Sequence, residues 1–320
     1  MTEAARQHGR QAERPSDIPA RGWLEIGRRV WNGISHHELS VVSAGIAFNE
    51  FFALFPTLAA AISLYGLVAD PGMVQDQLDM LGGFLPAEVQ SLVAGQMESL
   101  ARTPDGSLGL SLVIALALAL WGATRGVKGL ISGLNIVHGE DERRGFFALN
   151  LTALAFTFGA IVFGLVALAL VAAVPAILGF LPLGDGLRAL LSFVRWPLLA
   201  VFMLAGLGVV YRFAPSRRPA RWRWISWGAG VAVGLWLVGS GLFSLYAAHF
   251  GNFNESYGSM AAVAVTLLWF QLTSFIVLLG ALLDAEMEHQ TTRDTTTGAE
   301  RPMGRRGAHM ADTVEPPVAR

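Results

Sequence analysis

Three polar side chains stand where polar side chains are costly. Asn49 and Glu50 interrupt an apolar run that begins at Val41, and Arg195 interrupts another that begins at Leu187. An ionisable group inside a membrane-length apolar run is expensive unless it pairs, meets water or serves a substrate, so it counts as a functional candidate. Pro56, one and a half turns beyond Glu50, removes a backbone donor and is expected to kink its helix. At about 1.5 Å of rise per residue, Glu50 lies roughly 11–13 Å from one edge of its span and Arg195 about 12 Å from the opposite edge of its own. In a hydrocarbon core about 30 Å thick these depths differ by only a few ångströms, within reach of an arginine. A Glu50–Arg195 pair is one arrangement. The others are Arg195 snorkelling to headgroups and Glu50 holding a proton against a neighbouring helix.

A second set surrounds the end of a shorter apolar run. Arg125 and Lys128 sit in Thr124-Arg125-Gly126-Val127-Lys128-Gly129, where Gly122 and Gly126, then Gly129 and Gly133, recur four apart. Such small-residue faces let another helix backbone approach closely. Cations at headgroup depth suit an anionic group, and Arg125, Lys128, Asn135 and Arg212 are the candidate contacts to an anionic headgroup or substrate.

Other chemistries are poorly supplied. The chain has no cysteine, which removes disulfides and thiolate ligands or nucleophiles. Of its seven histidines, His36 and His37 are adjacent and do not share a helical face, and no metal-ligand spacing recurs. Neither catalytic residues nor a metal or other cofactor are therefore expected. The Arg and Trp residues of 212–227 superficially resemble a nucleic-acid surface. They are equally what the inner edge of a membrane demands, and no nucleic-acid partner is expected. No phosphate-binding glycine loop of the ATPase kind is present.

The elements that must position these residues are long apolar stretches: 41–69, 108–130 (apolar to Ala123), 146–174, 187–211, 222–248 and 257–283. Crossing a bilayer takes about 20 apolar residues of helix. The hydrophobic share is 53% and the charged share 15%, which leaves no room for a soluble domain. Connections alternate sharply in positive charge: 20 of the 23 Lys and Arg fall on one side of the implied membrane and two on the other, with Arg195 inside a span. Because Lys and Arg mark the cytoplasmic side, the reading is all-α, a polytopic membrane protein of six transmembrane helices with cytoplasmic N- and C-termini.

Around this domain of residues 21–290 lie segments of other kinds. Trp23–Ile34 places its apolar residues near one helical face and suits a helix lying at the interface. Between the first two spans, 73–102 reads as an amphipathic extracytoplasmic segment, either a lid or a cap. Residues 1–20 and 291–320 are polar and read as disordered tails.

Several motifs together resemble a known family. They are Ala44-Gly45-Ile46-Ala47-Phe48 with Phe55-Pro56 and Ser63-Leu64-Tyr65-Gly66-Leu67, then Arg125-Gly126-Val127-Lys128 with Leu134-Asn135, and Glu142-Arg143-Arg144-Gly145-Phe146. Later come Tyr211-Arg212 with Pro215, Phe243-Ser244-Leu245-Tyr246, and Tyr257-Gly258-Ser259 leading to Leu268-Trp269. Over about residues 20–290 the chain resembles the YihY/BrkB family of inner-membrane proteins, once mislabelled ribonuclease BN. Asn49 and Glu50 depart from that pattern, as do Leu282 and Asp284, which stand for the Glu and Asn of the family's Gly-Ala-Glu-Leu-Asn ending. The resemblance implies a multi-pass plasma-membrane protein, with lipid or envelope-precursor transport proposed for relatives.

The expected function is thus a transporter or lipid-handling protein without ATPase activity and not an enzyme, with membrane lipids as partners. A structural or assembly component of the cell envelope, with self-association, is the alternative; a tRNA-processing ribonuclease ranks below both.

Overall fold

The computed structural model of the chain describes residues 8–68, 108–168, 170, 184–250 and 259–314. Among them the protein is all helical. The helices are α1 (Ala20–His36), α2 (Leu39–Val68), α3 (Leu108–His138), α4 (Phe146–Leu168), α5 (Asp185–Phe213), α6 (Trp222–Phe250), α7 (Ser259–Gln290) and a last turn, α8 (His309–Asp312). Among the described residues no strand forms; Ala220 and Thr296 make one isolated bridge. The amphipathic segment expected at 73–102 lies outside the described residues.

Apolar length creates the long helices. Four of them, over Phe146–Ala167, Trp196–Phe213, Trp222–Tyr246 and Val263–Gln290, are long and apolar enough to cross a membrane, and the bent pair Ala20–His36 and Leu39–Phe55 makes five. The protein is therefore a multi-pass membrane protein. On α4, Phe146, Phe147, Leu151, Phe158 and Leu165 all face outward, an apolar band of the kind a membrane covers.

The sharp bend of 60° falls between α1 and α2. Glu38 there adopts a left-handed backbone with φ of 49°, and the His37 amide closes α1 on the Gly33 carbonyl at 2.9 Å. The helix α2 continues through Pro56, so the large change of direction comes at this elbow. The helix expected over 23–34 is α1, and Ile26 and Gly33 make its buried face.

Helix α7 is the central element. It packs on α2, α3, α6 and α1, while α4 rests on α3 and α5 on α6. Leu39 and Ile46 of α2, Ile131 and Leu134 of α3, Tyr211 of α5, Ile225 of α6, and Leu278 and Leu282 of α7 form the main core. Lipid tails are as apolar as these side chains, so close packing of the cluster, rather than escape from water, sets the helix positions.

Both chain ends pack at one end of the bundle, a correction to the reading of 1–20 and 291–320 as disordered tails for the parts described. Thr291 and Thr292 bond the carbonyls of Ala12 and Arg10 at 2.8 Å. The Arg221 amide donates to Thr295 at 2.9 Å, and Thr297 donates to Pro219 at 3.0 Å. Arg306, 5% exposed, donates to the carbonyls of Ala311 at 2.6 Å and Thr292 at 2.7 Å. Backbone and hydroxyl partners order this segment although it has few apolar residues to bury.

Candidate intramembrane polar site

The site begins with glycines. One face of α3 lacks side chains at Gly122, Gly126, Gly129 and Gly133, and α2 lies in the resulting groove. A Cβ on Gly122 would stand 3.1 Å from Ala53 Cα, one on Gly126 3.4 Å from Glu50 Cγ, and one on Gly129 3.4 Å from Ile46 Cγ1. The fourth, Gly133, faces Leu278 of α7 and Val42 of α2. The small faces therefore seat α2 and α7 against α3, the close approach that this spacing permits in membranes.

Glu50 lies in that seam, with the Ser274 hydroxyl of α7 near its carboxyl. Ser274 is buried. Asn49 turns back on its own helix and donates to the Gly45 carbonyl at 2.9 Å. A carboxyl held at a three-helix junction with one hydroxyl partner can accept or donate a proton, or bind a polar group.

Arg195 belongs to α5, on the far side of the bundle next to α6. Its side chain lies outside the described set, and so does the pair it was expected to make with Glu50.

The candidate headgroup contacts separate into three places. Arg125 is exposed, its guanidinium 4.9 Å from the Trp121 ring centre one turn earlier on α3, which is cation–π geometry. Lys128 donates to Asn150 Oδ1 of α4 at 2.5 Å. Lys128 therefore lies on the α4 side of α3. Arg212 stacks on Trp222 at 4.6 Å, and its Nε and Nη1 are buried without a hydrogen-bond partner in the protein. Asn135 is committed internally: it donates to Glu142 at 3.1 Å and accepts from the Ser216 amide at 2.8 Å. That amide fastens the α3–α4 connection to the α5–α6 connection.

The same end of the bundle holds charges whose roles the residue pattern did not reveal. Arg217 and Glu288 pair at 2.5 Å, both almost fully buried, and Thr295 donates to the other Glu288 oxygen at 2.8 Å. Arg29 pairs with Glu286 at 2.5 Å. Burial, and secondarily the charge of Arg217, push His138 down to about 3, so its ring is neutral. Burial pushes Glu140 up, partly offset by the His309 amide that donates to it at 2.6 Å. Glu142, held mainly by the Arg144 guanidinium, is down at about 2. Arg217 looks like one more inside-positive anchor in sequence; only its tertiary neighbour distinguishes it.

Comparisons with known proteins agree with this architecture. The family model described as Virulence factor BrkB matches residues 30–304. The ribonuclease-like protein YfkH of Bacillus subtilis (strain 168) is 27% identical over 254 residues, covering 78% of this chain and 90% of that protein. A UPF0761 membrane protein of Verminephrobacter eiseniae (strain EF01-2) is 27% identical over 278 residues, 84% of this chain but 63% of its own length. Another, VP0125 of Vibrio parahaemolyticus serotype O3:K6 (strain RIMD 2210633), is 25% identical over 293 residues and 89% covered. No solved structure matches. The chain belongs to the virulence factor BrkB family of membrane proteins.

Proposed function

We propose that the protein crosses the bacterial inner membrane six times, with both termini in the cytoplasm, and handles an anionic lipid or lipid-like envelope precursor without ATP. The topology is supported by the gathering of both chain ends and the two arginine-bearing connections, 139–145 and 214–221, at one end of the bundle. That arrangement supports an even number of crossings, and the Lys and Arg bias supports a cytoplasmic position for that end.

The observation that carries the lipid reading is Arg125, a cation exposed on the apolar flank of α3 and stacked on Trp121. An exposed guanidinium at inner-headgroup depth attracts a phosphate, with which it forms paired hydrogen bonds. Lys128 stands one turn on, where it bonds Asn150, and Arg212 adds a positive group at a separate place against Trp222. Glu50 supplies a polar step deeper in the seam. Binding of phosphatidylglycerol and phosphatidylcholine to the full chain in detergent tests this reading. The expected result is an anionic preference that falls about tenfold in Arg125→Ala, about the 1.4 kcal/mol that one charged contact supplies. Binding unchanged by that substitution removes the assignment.

A second reading, a structural or assembly component of the envelope, is favoured by the sealed ion pairs Arg217–Glu288 and Arg29–Glu286. Cross-linking and native-mass measurement distinguish it. A stable oligomer with no lipid preference supports it over a carrier.

A further inference from the structure

Where α5, α6 and α7 meet, two glycines bring α6 and α7 into backbone contact. A Cβ on Gly228 would run into the Gly280 carbonyl and the Asp284 carboxyl, and one on Gly280 would meet the Tyr211 hydroxyl and the Gly228 carbonyl. Asp284 fills the space beside Gly228 and is 1% exposed. Its Oδ1 accepts the Gly228 amide at 2.8 Å, and its Oδ2 is buried with no hydrogen-bond partner in the protein.

The surrounding charges are unbalanced. Glu288, one turn along α7, has already taken Arg217 on one oxygen and Thr295 on the other. The groups whose charge reaches Asp284 are Glu288 on its own helix, Arg217 from the 214–221 connection and Tyr211 on α5; from α6 it receives the Gly228 amide. Glu140 shares the field of Arg217, with Arg143 3.9 Å away on the exposed side. His138 also faces Arg217 and contributes no charge, because it is neutral. One buried guanidinium therefore serves three buried carboxyls. An ionised carboxylate in a dry site, with one oxygen lacking a donor and a like charge one turn away, is disfavoured against its protonated form.

We propose that Asp284 is a proton-binding site: at neutral pH its carboxyl carries a proton, and Arg217 is thereby left to Glu288. Loss of that O–H proton to water gives α7 two carboxylates, four residues apart, that compete for the same guanidinium. The Glu288–Thr295 contact that seats the C-terminal segment depends on the outcome. This inference is independent of the lipid-handling reading, since it rests on the junction of α5, α6 and α7 alone.

Infrared spectroscopy of the full chain in detergent at pH 7, with aspartate labelled by carbon-13 at the side-chain carboxyl, tests it. The expected result is a protonated-carboxyl band that shifts with the label and disappears in Asp284→Asn. Absence of a label-sensitive band in the native chain overturns the proposal without any substitution. Should Asp284→Asn fail to fold, Asp284→Ser reads the same band. Persistence of the band in either folded variant also overturns it.

Discussion

Arg217 and Glu288 stand 71 positions apart and meet in an ion pair of 2.5 Å that is sealed from solvent on both sides. The pair clamps the α5–α6 connection to the end of α7, and through Thr295 to the C-terminal segment. Removing one partner strands the other charge. Glu288→Ala should therefore cost about 3–5 kcal/mol. Arg144→Ala, which breaks the partly exposed pair with Glu142, should cost about 1 kcal/mol or less in that ion pair. Chemical unfolding of both variants in detergent checks the difference; equal losses contradict it.

Glycine positions offer a graded test of helix packing. A methyl at Gly126 would make ordinary contact with Glu50 Cγ at 3.4 Å, whereas one at Gly228 would meet the Gly280 carbonyl and Asp284 directly. Overpacking of that kind costs about 1–3 kcal/mol or more. Thermal unfolding should rank Gly228→Ala well below Gly126→Ala, and Gly126→Ala close to the parent.

Acid should weaken the connection end in two stages. His138 has its folded value at about 3, against 6.5 when free, so the unfolded chain takes up the proton first. Its contribution is present above pH 6.5 and is lost as pH falls from there toward about 3. Glu142, at about 2 against 4.5, contributes above pH 4.5 and is lost as pH falls toward about 2. Glu140 is shifted upward and has the opposite sign, gaining as pH falls through its folded value. In a pH series of unfolding midpoints, His138→Gln should remove the early loss and leave the later one. A variant with the parent's full profile contradicts this origin.

Hydrogen exchange tests the packed C-terminal segment. The amides of Arg221, Thr292 and Thr297 donate to backbone carbonyls of Thr295, Arg10 and Pro219 across three segments, so they should exchange slowly, together with the core. Exchange at the rate of an unstructured peptide would mean that 291–314 is not seated. Truncation after Gln290 should deprotect the Arg221 amide.

The residue pattern made the helices legible because apolar length has one physical outcome in this class. Leu108–His138 continues unbroken through Gly122, Gly126, Gly129 and Gly133, and that small face is readable as a site of close approach. The polar network was not readable in the same way. Asn135 was a candidate for a headgroup, yet its amide binds Glu142 and Ser216; these are contacts that depend on how two connections meet. Arg217 was indistinguishable from the other arginines of 212–223, since insertion alone accounts for a positive charge there. The C-terminal segment misled by composition. Low hydrophobicity signals disorder only where hydrogen bonding does not compensate, and here Thr291, Thr295 and Arg306 find buried partners. Asp284 was visible in sequence only as a departure from a family pattern; its significance comes from Gly228 and Glu288.

Movement of an anionic lipid-like molecule by the protein is open to a direct test in vesicles. Full-length protein is reconstituted without ATP, and a fluorescent phosphatidylglycerol analogue in the inner leaflet is followed by its accessibility to an external quencher. Exposure should be faster than in protein-free vesicles and slowed about tenfold in both Arg125→Ala and Glu50→Leu, equivalent to about 1.4 kcal/mol. A rate equal to that of empty vesicles, or one unchanged by both substitutions, would contradict it.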